Sequence, residues 1–167
     1  ADLNVTRRHG YSYCVDFDDS EFSETAISQT RQYEHMQHFE AGWSWNGYHR
    51  DNTGRYNNID NPGCPKRSYE QVAAFSQDAN WLKNRIARFE PRANTSIHLG
   101  MKWGVAMLDP AFRPISQAIG VDAAFQNRPA AHNDPDTLKT VILMTDGVNV
   151  TTRRINPQAY ANRDHRR

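Results

Sequence analysis

The second half of the chain carries its clearest hydrophobic pattern. Residues 141–144 are four large apolar residues in a row, with no polar alternation, and they lie within residues 139–145. Continuous apolar runs of this kind are typical of strands that are covered on both faces of a parallel sheet. The pattern therefore predicts a central strand over residues 139–145, which Asp146 and Gly147 would end.

A helix is predicted over Ile97–Leu108. Its apolar side chains occupy several faces rather than one stripe, which is typical of a buried helix. Gly100 and Gly104 would allow the helix backbone to lie close to a sheet. Asp109 and Pro110 are expected to end the helix, because proline cannot continue it.

Another helix is predicted earlier in the chain. Residues 72–75 form a short apolar run that favours a strand, and Ser76 is a candidate N-cap for the helix that follows. Pro91 would end this helix, since the residue before a proline avoids the α region. One face of the helix carries its large apolar side chains: Trp81, Leu82, Ile86 and Phe89.

The remaining segments give weaker patterns. Residues 1–67 form an irregular, loop-rich segment, with a possible helix within residues 23–39 and many Asn and Gly turn residues over 46–63. Residues 111–136 are expected to be a loop. The order strand, helix, loop, helix, loop, strand favours an open α/β sheet, whose ligands would bind beyond the carboxyl ends of the strands, where Asp146 lies.

Composition narrows the possible partners. The net charge of +1 gives no global electrostatic case for nucleic acid, and residues 153–167 are expected to be a solvated basic tail. The mean hydropathy of −0.85 is polar for a domain of this size, which favours long loops or a piece of a larger protein. No apolar run is long enough to span a membrane, so any membrane anchor is expected outside this chain.

Two longer motifs resemble a known family. TSIHLGMKWGVAMLDP at residues 95–110 and KTVILMTDG at residues 139–147, with Cys64-Pro65 upstream, look like the TadE/TadG (Flp, tight adherence) pilus-assembly family and its relatives with von Willebrand factor A-type domains. The resemblance is strong over residues 64–149. It implies an open, mostly parallel sheet of the von Willebrand factor A type, here incomplete. Residues 68–152 would be its central part and residues 1–67 an N-terminal insertion.

The same resemblance implies a function in binding and assembly rather than in catalysis. It places the protein in the bacterial cell envelope, periplasmic or surface-exposed, with tethering to the inner membrane through a segment outside this chain. Flp-type pilus biogenesis or adhesion is the process implied. The partners implied are other pilus-assembly or surface proteins.

Thr95 and Asp146 match two elements of the family's metal-ion-dependent adhesion site. Thr95 lies five residues before Gly100, and Asp146 follows the apolar run. Hydroxyl and carboxylate oxygens are the ligands that Mg²⁺ prefers. The family's Asp-x-Ser-x-Ser element is absent from the chain, and two ligands are few for an octahedral ion. We therefore expect Mg²⁺ to bind this chain weakly or not at all.

The envelope location implied by the family also bears on the two cysteines, Cys14 and Cys64. Their spacing does not form a zinc-type pair, and composition alone leaves open whether they are bridged. Because disulfides persist in oxidising compartments, we expect a bond between them that closes the turn-rich segment. The alternative is two independent cysteines, one of them buried as a small apolar side chain.

One catalytic alternative comes from Asp16, Asp18 and Ser20. An Asp-x-Asp-x-Ser segment after an apolar stretch resembles the nucleophile loop of haloacid dehalogenase-type phosphatases. In that chemistry Asp16 would attack phosphorus and Asp18 would act as general acid and base, with Mg²⁺ present. No late acidic pair follows in the chain, so binding is favoured over this alternative.

Overall fold

The computed structural model describes residues 14–31, 33–35, 64, 67–73, 75–89, 95–145 and 147–149. Two short strands and three α-helices follow each other along these residues: β1 (Val15–Asp16), β2 (Glu34–His35), α1 (Ala79–Ala87), α2 (Ile97–Leu108) and α3 (Arg113–Ile119). Short 3-10 helices connect them at Asp19–Ser23, Ser68–Glu70, Pro110–Phe112 and Ala123–Phe125. Within the described residues, no helix has both the length and the hydropathy that crossing a bilayer requires.

The predicted open parallel sheet of the von Willebrand factor A type is wrong. The strands of the described residues are β1 and β2, which pair antiparallel with Val15 opposite His35 and Asp16 opposite Glu34. Helices make up most of the remaining regular structure. Within the described residues, this pair of two-residue strands provides no central strand around which a doubly wound sheet could form.

Residues 139–145 are not the central strand that their apolar run predicts. Ile142 is 81% exposed and Met144 is 88% exposed. A central strand needs hydrogen-bonded neighbours along both edges, and in the part of the chain that the structure describes no strand lies beside this segment. One side of the segment still packs, because a Cβ atom built on Gly104 of α2 would lie 3.3 Å from Val141.

The predicted bounds of α2 are confirmed, while its predicted burial holds only in part. The helix covers Ile97–Leu108, and Asp109 follows it as the C-cap in an extended conformation. Pro110 then begins a 3-10 turn, and the Asp109 carboxylate accepts a hydrogen bond from the Ala111 N–H at 2.9 Å. The helix is half-buried, with Ala106 fully covered.

The hydrophobic core lies between α2 and residues 15–33, the segment whose sequence is irregular. Phe17, at 0% exposed, is its centre, and the rings of Tyr33 and Trp103 each meet Phe17 edge-on at 5.6 Å between centroids. Ile27, Ala106 and Phe112 complete the buried set. An aromatic cluster of this kind gives the segment a packed core without long strands or helices.

Lys102 of α2 holds the irregular segment in place. Its side chain is buried, and its Nζ donates to the carbonyl oxygens of Glu21 at 2.7 Å, Glu24 at 2.6 Å and Ala26 at 2.9 Å. Backbone carbonyls that are removed from water need donors. The short 3-10 helix supplies one of them, because the Glu21 carbonyl also accepts from the Glu24 N–H at 3.3 Å. The ammonium group uses all three of its protons for that purpose.

α1 begins two residues later than its predicted cap implies. Asp78 is the N-cap and its carboxylate accepts from the Trp81 N–H at 2.8 Å, while the Ser76 hydroxyl accepts from the Asp78 N–H. The described residues of 72–75 are not a strand, so this prediction is also wrong. No side chain of α1 is fully buried, which leaves its apolar face in contact with solvent.

Residues 111–136 contain α3, where a loop is expected from the sequence. Pro114 lies in the first turn of α3, where its missing N–H costs no hydrogen bond. Gly120 ends the helix with a φ of 91°, a conformation that favours glycine. The helix predicted within residues 23–39 is not present in the described residues of that range, where the chain is held by Lys102 instead.

Candidate functional site

Thr95 lies where the chain enters α2, and the end of the apolar run lies against it. A Cβ atom built on Gly147 would be 2.8 Å from the Thr95 hydroxyl oxygen, so only glycine allows this approach. The Ile97 N–H donates to the side-chain oxygen of Asn149 at 2.9 Å. The beginning of α2 and the residues after 145 therefore meet, while Asp146 itself lies outside the described residues.

Of the two predicted Mg²⁺ ligands, Thr95 lies within the described residues and Asp146 does not. The Asn149 side-chain oxygen at the entry of α2 already accepts from the helix backbone. Within the described ranges no three His, Cys, Asp or Glu side chains form a cluster that could hold a metal ion. One hydroxyl falls far short of the six oxygen ligands of Mg²⁺. Weak or absent Mg²⁺ binding by Thr95 and Asp146 stays a prediction.

Cys14 and Cys64 form a disulfide bond across 50 residues of sequence, as expected from the sequence. Their Cα atoms are 5.7 Å apart, within the range that the bond requires. Cys64 is fully buried, and Cys14 directly precedes β1. The bond therefore joins Cys64, which follows the turn-rich segment, to Cys14, which precedes β1 and the Phe17 core.

Asp16 and Asp18, the residues of the phosphatase alternative, have different surroundings. Asp16 lies half-buried on β1, and Asp18 is exposed at the start of the first 3-10 helix. The Asp18 carboxylate forms an ion pair with Arg31, whose guanidinium also binds Glu21. Arg31 therefore neutralises the carboxylate that the alternative assigns to acid and base chemistry.

Glu21 is the buried member of this charged cluster. Its carboxylate accepts from the Tyr33 hydroxyl at 3.2 Å, and that hydroxyl accepts in turn from the Ser28 N–H at 2.9 Å. Burial, together with the neighbouring Glu21 charge, raises the pKa of the Tyr33 hydroxyl. The cluster ties residues 18–33 into one unit and leaves Tyr33 protonated at neutral pH.

Asp109 forms a second polar cluster, which sequence reasoning treated only as a helix stop. The buried carboxylate accepts from the Thr25 hydroxyl and the Ala111 N–H, and His132 Nε2 lies 3.4 Å from it. Burial alone would raise its pKa, but the hydrogen bonds and the nearby imidazole outweigh that effect and lower it. The Asp109-Pro110 pair gave no sequence signal for these contacts, because Thr25 and His132 are distant from it in the chain.

The most exposed large apolar side chains of the described residues lie within residues 138–145, 147 and 148, which we call the apolar segment. Its exposed fractions reach 92% at Leu138, 88% at Met144 and 84% at Val148. Monomeric proteins rarely leave so many adjacent apolar side chains in water, and such patches mark binding surfaces. An open groove of about 380 Å³ adjoins the segment, with Phe75 and Phe125 in its wall.

A second open groove, of about 460 Å³, lies beside α1. Trp81, Arg85 and Asp122 line it together with the apolar side chains of Val72 and Ile119. The Asp122 carboxylate already accepts from the Ser76 hydroxyl and the Gln77 N–H, and Arg85 donates to the Gln71 carbonyl. The polar groups of this groove thus hold the start of α1 in position.

Comparison of the chain with protein-family models, with curated proteins and with solved structures gives no match.

Proposed function

We propose that the chain is a non-catalytic binding and assembly module of a bacterial cell-envelope protein that acts in Flp-type pilus biogenesis or adhesion. The observation that carries the proposal is the bond between Cys14 and Cys64, because structural disulfides persist in oxidising compartments and are rare in the cytosol. The TadE/TadG-like motifs at residues 95–110 and 139–147 support the pilus-related process.

The apolar segment supports a role in binding. Over residues 138–142, Lys139 and Val141 are half-buried against the protein, whereas Leu138, Thr140 and Ile142 are exposed, so one face of this stretch is free. Residues 143–145 are all exposed. No strand of the described residues covers the edge of the apolar segment. We infer that another pilus-assembly or surface protein adds an extended segment here, with its apolar side chains against those that are exposed.

Charged substitutions on the free face test this proposal. A strain that lacks the parent gene is complemented with wild type, Ile142→Asp or Met144→Asp, and surface pili and adhesion are measured. We expect both variants to lose piliation at unchanged protein level, because a buried carboxylate without a partner disrupts an apolar interface. Gln117→Asp, on an exposed position of α3, is the matched control and should assemble normally. Normal piliation by both apolar-segment variants would contradict the proposal.

The phosphatase alternative has a separate test. The chain is incubated with p-nitrophenyl phosphate and Mg²⁺, and phosphate release is measured for wild type and Asp16→Asn. We expect no release above background from either protein. Turnover by wild type that Asp16→Asn abolishes would overturn the non-catalytic assignment, whatever the piliation assay shows.

A further inference from the structure

α1 presents an unusual amount of apolar surface for so short a helix. Ile86 is 63% exposed and Phe89, just beyond the helix, is 55% exposed, while Trp81 is 41% exposed. Leu82, Ile86 and Phe89 follow an i, i+4, i+7 spacing, which places them along one side. Trp81 and Arg85 line the groove beside α1, whereas Ile86 and Phe89 are not among its lining residues.

Positively charged residues lie along α1 and directly after it, and the Arg88 guanidinium lies over the Tyr69 ring, 4.1 Å from its centroid. Lys83, Arg85 and Arg88 lie between Ala79 and Phe89, and no acidic residue lies between these two ends. The flanking residues Asp78 and Glu90 leave the segment with three cations against two carboxylates. The Asp78 carboxylate is also committed to the Trp81 N–H as the helix cap.

The aromatic and basic side chains are combined in a way that suits a bilayer interface. The Arg85 guanidinium lies 5.2 Å from the centroid of the Trp81 ring, so an aromatic body and a cation are presented together. Tryptophan rings prefer the level of the lipid headgroups, and cations beside them attract anionic lipids. Basic helices with large apolar residues on one face lie in the plane of the membrane surface.

We propose that α1 docks this protein onto an anionic membrane surface, with Ile86 and Phe89 inserted and Lys83 at the headgroups. A protein partner fits less well, because a nine-residue helix is about 14 Å long and a stable interface needs roughly 800 Å² from each partner. A second copy of the same face would bring like charges together. A bilayer, by contrast, accepts the shallow insertion of a few side chains. The proposal does not depend on the pilus-related function.

Vesicle co-sedimentation of the full 167-residue chain tests the proposal. Vesicles of phosphatidylcholine alone are compared with vesicles that also contain phosphatidylglycerol, at low and high salt. We expect binding to the anionic vesicles that salt weakens, and a blue shift of tryptophan emission that Trp81→Phe reduces. Lys83→Gln should weaken binding roughly fivefold, since each cation near an anionic surface contributes at about that level.

Ile86→Ser and Phe89→Ser should each weaken binding roughly tenfold or more, because each removes a large inserted side chain. Circular dichroism checks that these variants stay folded. Ile119→Ser is the matched control: it removes the same kind of side chain from a position of α3 that is 50% exposed, and it should leave vesicle binding unchanged. The proposal is overturned by equal binding to neutral vesicles or by no binding to either vesicle. Equal losses of vesicle binding in Ile86→Ser and Ile119→Ser would also overturn it.

Discussion

Two segments pack against α2, and they are held in opposite ways. Residues 14–33 lack long regular elements, yet Phe17 is fully buried and Lys102 binds three of the segment's carbonyl oxygens. The apolar segment touches the helix at Gly104 through Val141, while Ile142 on its other side is 81% exposed. The more irregular of the two segments is thus the better packed.

The comparison shows that backbone hydrogen bonding decides which segment enters the core. Burial of a chain segment requires partners for its N–H and C=O groups, whatever its side chains are. Lys102 supplies such partners from α2 to the irregular segment. In the apolar segment the lysine is a donor to other parts of the chain: Lys139 Nζ donates to the Leu108 and Ala130 carbonyls. The backbone of the apolar segment has no strand partner in the described part of the chain.

The largest effect should come from the centre of the better-packed segment. Phe17→Ala is expected to lower the free energy of unfolding by about 4–5 kcal/mol, the upper part of the range for Phe→Ala, because the ring is fully buried among three aromatic neighbours. Urea denaturation followed by circular dichroism measures it. A loss below 1 kcal/mol would show that this segment is not the core.

The sequence predicted α2 better than it predicted the two segments that pack against the helix. The apolar periodicity and the Asp109-Pro110 stop were sufficient to place α2, because both signals are local. The core around Phe17 depends on Lys102 reaching residues about 80 positions away, for which hydrophobic periodicity contains no signal. At the candidate site, Gly147 lies against Thr95, while Asp146, the residue that the sequence assigned there, lies outside the described residues. The clusters around Asp109 and Arg31 were not predicted.

The disulfide should stabilise the same segment to a similar extent. Its 50-residue separation predicts a loss of about 4 kcal/mol when the bond is removed, according to the chain-entropy model. The urea midpoint is measured for Cys14→Ser/Cys64→Ser, and for wild type with and without dithiothreitol. We expect the double variant and the reduced wild type to agree. A reduced wild type that unfolds at the same urea concentration as the oxidised protein would mean that the bond does not stabilise the fold.

The two lysines offer a direct test of the hydrogen-bonding argument. Lys102→Met keeps the length of the buried side chain but removes the donor shared by three carbonyl oxygens, of which Glu21 keeps the Glu24 N–H. We expect a loss of about 2–3 kcal/mol in unfolding free energy. Lys139→Met is the matched variant and should cost less, since it removes two bonds at a half-buried position. A larger loss of unfolding free energy in Lys139→Met than in Lys102→Met would contradict the role of Lys102 as the main donor to the irregular segment.

The Asp109 cluster should make the link between the irregular segment and α2 sensitive to acid. Because hydrogen bonds hold the pKa of folded Asp109 below its ordinary value despite burial, its contribution is present above that value and is lost as pH falls through the lowered pKa. Asp109→Asn should therefore cost about 1.5 kcal/mol at pH 7. The difference from wild type should shrink below about pH 4. Urea midpoints across this pH range measure it, and a difference that grows on acidification would refute the assignment.

The smallest expected effect distinguishes most sharply between the two segments. A central strand would make Ile142→Ala costly, by about 2–5 kcal/mol, as is usual for large apolar residues in a core. The side chain is 81% exposed, so we expect the free energy of unfolding to change by less than about 0.5 kcal/mol. Urea denaturation of Ile142→Ala beside Phe17→Ala measures both segments in one experiment. A loss above 2 kcal/mol at Ile142 would mean that the apolar segment is buried in the folded protein, and the binding role proposed for its free face would fall with it.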